Sequence, residues 1–229
     1  LATVTLFVWR AQFSEPELRT FANATAAVQS HELPDGSLVD LRPGAEVTYA
    51  EAFTGEERRV EFSGEGYFDV ASDAQHPFVV SIGGAEVRVL GTEFLLRDGE
   101  AVDLQVTEGK VAFSAASAEN GARKVVEAGQ SAQINPTTQS ISDIAPAEPN
   151  ELFWKNRRLT YRNAPLKRVA KDLERYFQIT VRFGDESLGE CRLSATFEDE
   201  TIASIFRVIS ESMTLTYEKD GTNFTLRGD

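Results

Sequence analysis

Apolar and polar residues change their rhythm near the middle of the chain. From Phe21 to about Asn135, valines, phenylalanines and leucines alternate with polar residues in short stretches. A period of two places every second side chain on one face of a strand. In the run Val87, Arg88, Val89, Leu90, the two valines share a face and Arg88 points away from it. Between such stretches lie the pairs Asp35 and Gly36, Gly83 and Gly84, Asp98 and Gly99, and Glu108 and Gly109. These supply the positive φ angles that tight hairpins require. No helical period interrupts the region. The pattern predicts an all-β domain, a sandwich or a solenoid-like roll, and periodicity does not choose between the two.

The second half has a helical period. Leu166, Val169, Leu173 and Phe177 fall on one stripe, with Pro165 suited to a first turn and Asn163 placed to cap it. Residues 179–183 then alternate as a strand. The pattern recurs: Asp199 is placed as a cap, Ile202, Ile205, Ile209 and Met213 form a stripe, and residues 215–217 form a strand. Tyr161 and Phe197, Asn163 and Asp199, Leu166 and Ile202, Val169 and Ile205, Leu173 and Ile209, Phe177 and Met213, and Ile179 and Leu215 all differ by the same offset. The unit is βαβ used twice, closed by a hairpin through Asp220 and Gly221 into residues 223–226. The overall fold class is therefore α+β. Residues 136–150 hold three prolines among small polar residues, which reads as a linker or an edge segment. The resulting division is 13–135 for the β-domain, 136–151 for the linker and 152–229 for the doubled βαβ domain.

Charge supports that division. The chain carries a formal −13, and all of it falls in residues 1–150, where 23 acidic residues face 10 basic ones. Residues 151–229 hold 13 of each. So acidic a first half argues against a nucleic-acid partner, because phosphate binding needs basic patches. A single cysteine, Cys191, excludes an intrachain disulfide, and it reads as a buried structural thiol. The apolar run at residues 1–9 ends in Trp9 before Arg10. Nine residues are too few to cross a bilayer, so residues 1–12 are either a first strand or the end of a membrane-spanning helix.

No catalytic constellation emerges. Asp69, Asp73, Glu93 and Asp103 lie in or near strands and read as solvated outward positions. His31 and His76 lack neighbours at metal-ligand spacing, and no nucleophile elbow or phosphate loop is present. The chain reads as a protein without enzymatic activity and without a cofactor. Charge suggests one surface. Eight basic residues between Lys155 and Arg175, among them Arg162, Lys167, Arg168, Lys171 and Arg175, meet only Asp172 and Glu174. They form either a solvated helix face or a docking face, for an acidic partner or for the acidic first domain.

The ordered series LPDGS (33–37), GEGYFDVA (64–71), HPFVV (76–80), VRVLGTEF (87–94), VTEGKV (106–111) and EAGQSA (127–132) resembles the FecR family, the transmembrane regulators of extracytoplasmic sigma factors. The resemblance covers roughly residues 21–133. The doubled βαβ resembles the short domain shared by secretins and TonB-dependent transporters, also found at the C-terminus of FecR-like proteins. The resemblance implies a periplasmic part tethered to the inner membrane by a preceding helix. It would receive the N-terminal signalling domain of a TonB-dependent transporter, and a cytoplasmic segment would control the sigma factor. Partner strands are expected to add at edge strands carrying Leu215, Tyr217, Phe224 and Leu226. A rival reading is a carbohydrate-binding β-domain using Tyr67, Phe68 and Asp69.

Overall fold

The computed structural model describes residues 17–116 and 123–228. The expected helix end at residues 1–12 lies outside them. Among the described residues no helix is long and apolar enough to cross a membrane. The chain divides into two compact units between Ala147 and Glu148.

The first unit is built from fourteen strands: β1 (Leu18–Ala22), β2 (Gln29–Glu32), β3 (Leu38–Leu41), β4 (Glu46–Ala50), β5 (Arg58–Ser63), β6 (Glu65–Asp69), β7 (Phe78–Ile82), β8 (Ala85–Val89), β9 (Glu93–Arg97), β10 (Val102–Glu108), β11 (Lys110–Ala115), β12 (Arg123–Glu127), β13 (Gln130–Ile134) and β14 (Ala145–Pro146). They form two seven-stranded sheets, ordered β1-β4-β5-β7-β8-β11-β12 and β14-β13-β10-β9-β6-β3-β2. The chain crosses from sheet to sheet after every strand or two and advances as it does so. A sandwich and a solenoid-like winding are thus both present: the layers are those of a sandwich, the path that of a roll. Val47, Val60, Phe78 and Val87 from one sheet share a core with Val39, Phe68, Phe94 and Leu104 from the other. The alternation read from the sequence holds, as in the buried, exposed, buried sequence along β5.

The family motifs mark the crossings. Gly64 turns the chain from β5 to β6 at φ 91°, and a Cβ there would stand 2.7 Å from the Ala45 Cα. Gly109 turns β10 into β11 at φ 81°, where a Cβ would meet the Thr92 hydroxyl at 2.8 Å. Only glycine relieves both the dihedral and the contact.

Three motifs also converge on one buried cation. Arg58 is 4% exposed and donates to Asp35 Oδ2 at 2.6 Å, to the Ala71 carbonyl at 2.8 Å and to the His76 carbonyl at 2.8 Å. Its backbone N–H takes the Pro77 carbonyl, and its guanidinium lies 5.4 Å from the Phe78 ring centroid. Ser37 donates its hydroxyl to Asp35 and accepts the Ala71 N–H. Asp35 and Ser37 belong to LPDGS, Ala71 ends GEGYFDVA, and His76, Pro77 and Phe78 open HPFVV. Buried polar groups hold their place only when partnered, so this cluster fixes the β2–β3 hairpin of one sheet against the start of β5 and β7 in the other.

Part of residues 136–151 takes the form of an edge segment. Ser142 donates to the Gln133 carbonyl and β14 pairs with β13, closing the edge of the second sheet. A proline is tolerated there because an edge strand leaves one row of N–H groups unused. Asn150 belongs to the second unit: its side chain accepts from Thr160 N–H and donates to Asp172, and its carbonyl accepts from the Tyr176 hydroxyl.

At the open edge of the sandwich, His31 on β2 stacks on Phe21 of β1 at 4.1 Å and hydrogen-bonds the Tyr49 hydroxyl of β4 at 2.7 Å. Desolvation holds the imidazole below its ordinary 6.5. The unfolded chain therefore takes up the proton first, so this contribution is complete above 6.5 and is lost as pH falls below it. Urea melts between about pH 7.5 and about pH 5 are expected to show that loss, and His31→Gln to flatten the profile. Equal slopes in both proteins would exclude His31 as the source.

The second unit runs α1 (Phe153–Asn156), β15 (Arg158–Pro165), α2 (Leu166–Phe177), β16 (Thr180–Phe183), a 3-10 turn (Glu186–Glu190), β17 (Arg192–Glu198), α3 (Ile202–Met213), β18 (Leu215–Asp220) and β19 (Asn223–Gly228). β15 pairs with β17 in one small sheet, and the other has the order β16-β19-β18. Leu159, Leu166, Val169, Leu173, Ile205, Phe206, Ile209, Phe224 and Leu226 pack in a single core drawn from α2, α3 and both sheets.

The repeat extends to the backbone. Pro165 and Thr201 are both extended N-caps, and Gln178 (φ 53°) and Thr214 (φ 54°) are both left-handed C-caps. Asn163 (φ 51°) and Asp199 (φ 50°) also match, but neither caps a helix. Thr201 caps α3 by accepting from the Ser204 N–H, while the first N–H of α2 goes to the Cys191 carbonyl. Asn and Asp favour both caps and left-handed kinks, and here they serve as kinks.

Candidate interaction edges

The residues proposed from sequence separate into three groups. Lys167 pairs with Glu190 at 2.7 Å, Arg175 with Glu151 at 2.7 Å, and Arg168 with Glu148. Burial acts to lower the Arg168 pKa, but the Glu148 contact together with Asp172 and Tyr161 outweighs it and leaves the guanidinium above its ordinary value. Arg162 is exposed beside the irregularity in the β15–β17 pairing, and Lys171 is exposed on α2. The basic run therefore interleaves with Glu148, Glu151 and Glu190 into a mixed-charge surface. The acids that offset it come from the segment before α1 and from the 3-10 turn, which sequence proximity did not reveal.

Phe224 and Leu226 are corrections. Both are buried, and their strand β19 is the centre of its sheet, bonded to β16 on one side and β18 on the other. It has no free row of donors and acceptors. Leu215 and Tyr217 are half-buried on β18, which is an edge. Tyr217 packs on Phe206 with centroids 5.4 Å apart. The β18–β19 hairpin turns through Gly221 and Thr222, so Asp220 and Asn223 close it. A two-residue loop makes that closing pair hydrogen-bonded, and the backbone groups then alternate in direction. Those of Asp220, Glu218 and Thr216 face β19, and those of Leu215, Tyr217 and Lys219 face outward.

Cys191 is exposed, contrary to the buried thiol expected, because it follows the 3-10 turn instead of lying within a strand. Tyr67 and Phe68 are buried, so they do not offer the exposed aromatic platform of a carbohydrate site. Tyr67 donates to Glu93 at 2.5 Å and contacts the Thr107 hydroxyl at 2.7 Å. Burial, then the Glu93 contact, pushes its phenol upward. Asp73 is drawn down to about 2, chiefly by the His76 ring, and Asp103 meets Arg97 at 3.1 Å. These carboxylates are separate structural pairs, and no group of three or more metal-ligating side chains occurs among the described residues.

The geometry defines the class: a roll-wound β-sandwich followed by a doubled βαβ unit with open sheet edges. The chain belongs to the FecR family, matching FecR protein over residues 17–112 and FecR, C-terminal, over residues 158–226. Two crystal structures of a candidate anti-sigma factor from Parabacteroides distasonis share the fold, each with a TM-score of 0.59 and 22% identity. They cover 93% and 92% of this chain and 100% and 99% of their own. No curated protein matches the chain significantly.

Proposed function

We propose that the chain is the periplasmic receiving part of a membrane-tethered anti-sigma regulator. Its second unit accepts the signalling domain of a TonB-dependent transporter, and the signal passes across the inner membrane to an extracytoplasmic sigma factor. The role is recognition, with no bond made or broken by the chain. The open β18 edge on the duplicated βαβ unit carries this reading, together with the family. A partner strand hydrogen-bonds to the outward groups of Leu215, Tyr217 and Lys219 by strand addition. The interleaved acids around Lys167, Arg168 and Arg175 favour this mode over docking by positive charge.

Titration of the cognate signalling domain against the full chain tests the proposal. Lys219→Pro removes an outward N–H without touching the β18–β19 ladder and is expected to weaken binding about tenfold or more with melting unchanged. Lys167→Glu with Lys171→Glu is expected to change affinity less than about threefold at physiological salt. Loss of binding in the charge variant alone would replace strand addition with electrostatic docking.

A further inference from the structure

Among the described residues the far edge of the first sheet is β12, which pairs there with β11 alone. Its outer face carries Arg123, Val125 and Glu127, all exposed, while Val126 is buried. Val125, at 52% exposure, shares a groove of about 430 Å³ with Leu90, at 48%, and with Arg88, Lys110, Ala112 and Arg123. Leu90 and Val125 are two of the most exposed large apolar side chains in this unit among the described residues.

Backbone direction along β12 follows from its flanks. Ala128 donates to the Gly109 carbonyl in the same register as the β11–β12 ladder, and Ala116 donates to the Gly84 carbonyl in the β11–β8 register. Both place the groups of Val126 and Lys124 toward β11. Those of Arg123, Val125 and Glu127 therefore face the open edge. The Glu127 N–H agrees with this, since it takes a side-chain acceptor, Gln130 Oε1, at 2.9 Å.

We infer that β12 pairs antiparallel with β12 of a second copy of this chain, about a two-fold axis at Val125. The strand is self-complementary in that register. Val125 faces Val125, and each Arg123 faces the other copy's Glu127, so opposite charges meet on both sides of the axis. The outward backbone groups form four hydrogen bonds without disturbing Gln130: two within the central pair and one from each Arg123 N–H to the opposing Glu127 carbonyl. Lys110 already lies 2.7 Å from Glu127, so the facing arginine extends an existing pair into a network. Any other register by two residues places Arg123 against Val125 or leaves Glu127 without its cation. A five-residue strand pair buries less than the roughly 1,000 Å² of a stable interface, so the association is weak and concentration-dependent.

Sedimentation equilibrium on the full chain tests this between about 10 μM and about 1 mM. The unaltered protein is expected to shift from monomer to dimer over that range, and less so at high salt. Val125→Pro deletes an outward N–H and is expected to weaken the dimer about tenfold or more. Arg123→Glu alone and Glu127→Arg alone are each expected to do the same by opposing like charges, with melting curves unchanged. An equimolar mixture of those two single variants restores both charge pairs and is expected to dimerise as the unaltered protein does. A monomer throughout the range overturns the inference, as does a mixture that fails to associate, or single variants that associate undiminished.

Discussion

Arg58→Met is expected to destabilise the first unit by about 3–5 kcal/mol in denaturant melts, among the largest effects of any single substitution there. The guanidinium is 4% exposed and Asp35 11% exposed, so the charge left behind at Asp35 has little access to water. The substitution also strips donors from the Ala71 and His76 carbonyls. A buried pair broken on one side costs more than the pair contributes, because the orphaned charge keeps its desolvation penalty. Arg58 itself retains one buried nitrogen, Nη2, without a hydrogen-bond partner among the described residues, so the site is not ideal even intact. Asp35→Ala is expected to cost a similar amount, and the double variant no more than either single one, since all three abolish the same interaction. The neighbouring Arg59 supplies the contrast. It is 57% exposed and pairs with Glu57 and Glu86, so Arg59→Ala should fall within about 0.5 kcal/mol. A loss below about 1 kcal/mol for Arg58→Met would mean that the motif cluster does not join the sheets.

Phe206→Ala is expected to cost the second unit about 3–5 kcal/mol. The ring is fully buried and stacked on Phe224 with centroids 4.3 Å apart and planes 10° apart. Truncation leaves a void between α3 and the central strand of the three-stranded sheet, and Tyr217 loses its neighbour as well. Lys171→Ala, on the exposed face of α2, should remain within about 0.5 kcal/mol. Near-ultraviolet circular dichroism during urea unfolding follows both. If Lys171 proved the costlier position, the assignment of helix faces would fail.

Phe206 also shows the reach of periodicity. The stripe of Ile202, Ile205, Ile209 and Met213 located the helix and its buried side, yet Ile202 and Met213 are only half-buried while Phe206 is wholly so. A globular helix buries a band wider than one stripe, and which flank is covered depends on the sheet beneath it.

What the sequence by itself determined is local or repeated. Alternation located the strands of the first unit, the stripes located α2 and α3, and the constant offset between the halves of the second unit persisted down to matching left-handed residues at Asn163 and Asp199 and at Gln178 and Thr214. The motif series identified the family because each short string must solve a local steric problem at a crossing, as Gly64 and Gly109 do. What only the tertiary structure decided is which distant segments became neighbours. A period of two reports that one face is buried but not which strand lies alongside, so β19 read as an edge although it is a centre, and β12 was not singled out as an edge at all. Asp35, Ala71 and His76 are far from one another in the chain and meet only because the winding brings their turns to Arg58. The basic run from Lys155 to Arg175 likewise lost its apparent excess of charge once folding set Glu148, Glu151 and Glu190 beside it. Charge and hydrogen bonding act across space, whereas a sequence orders residues only along the chain.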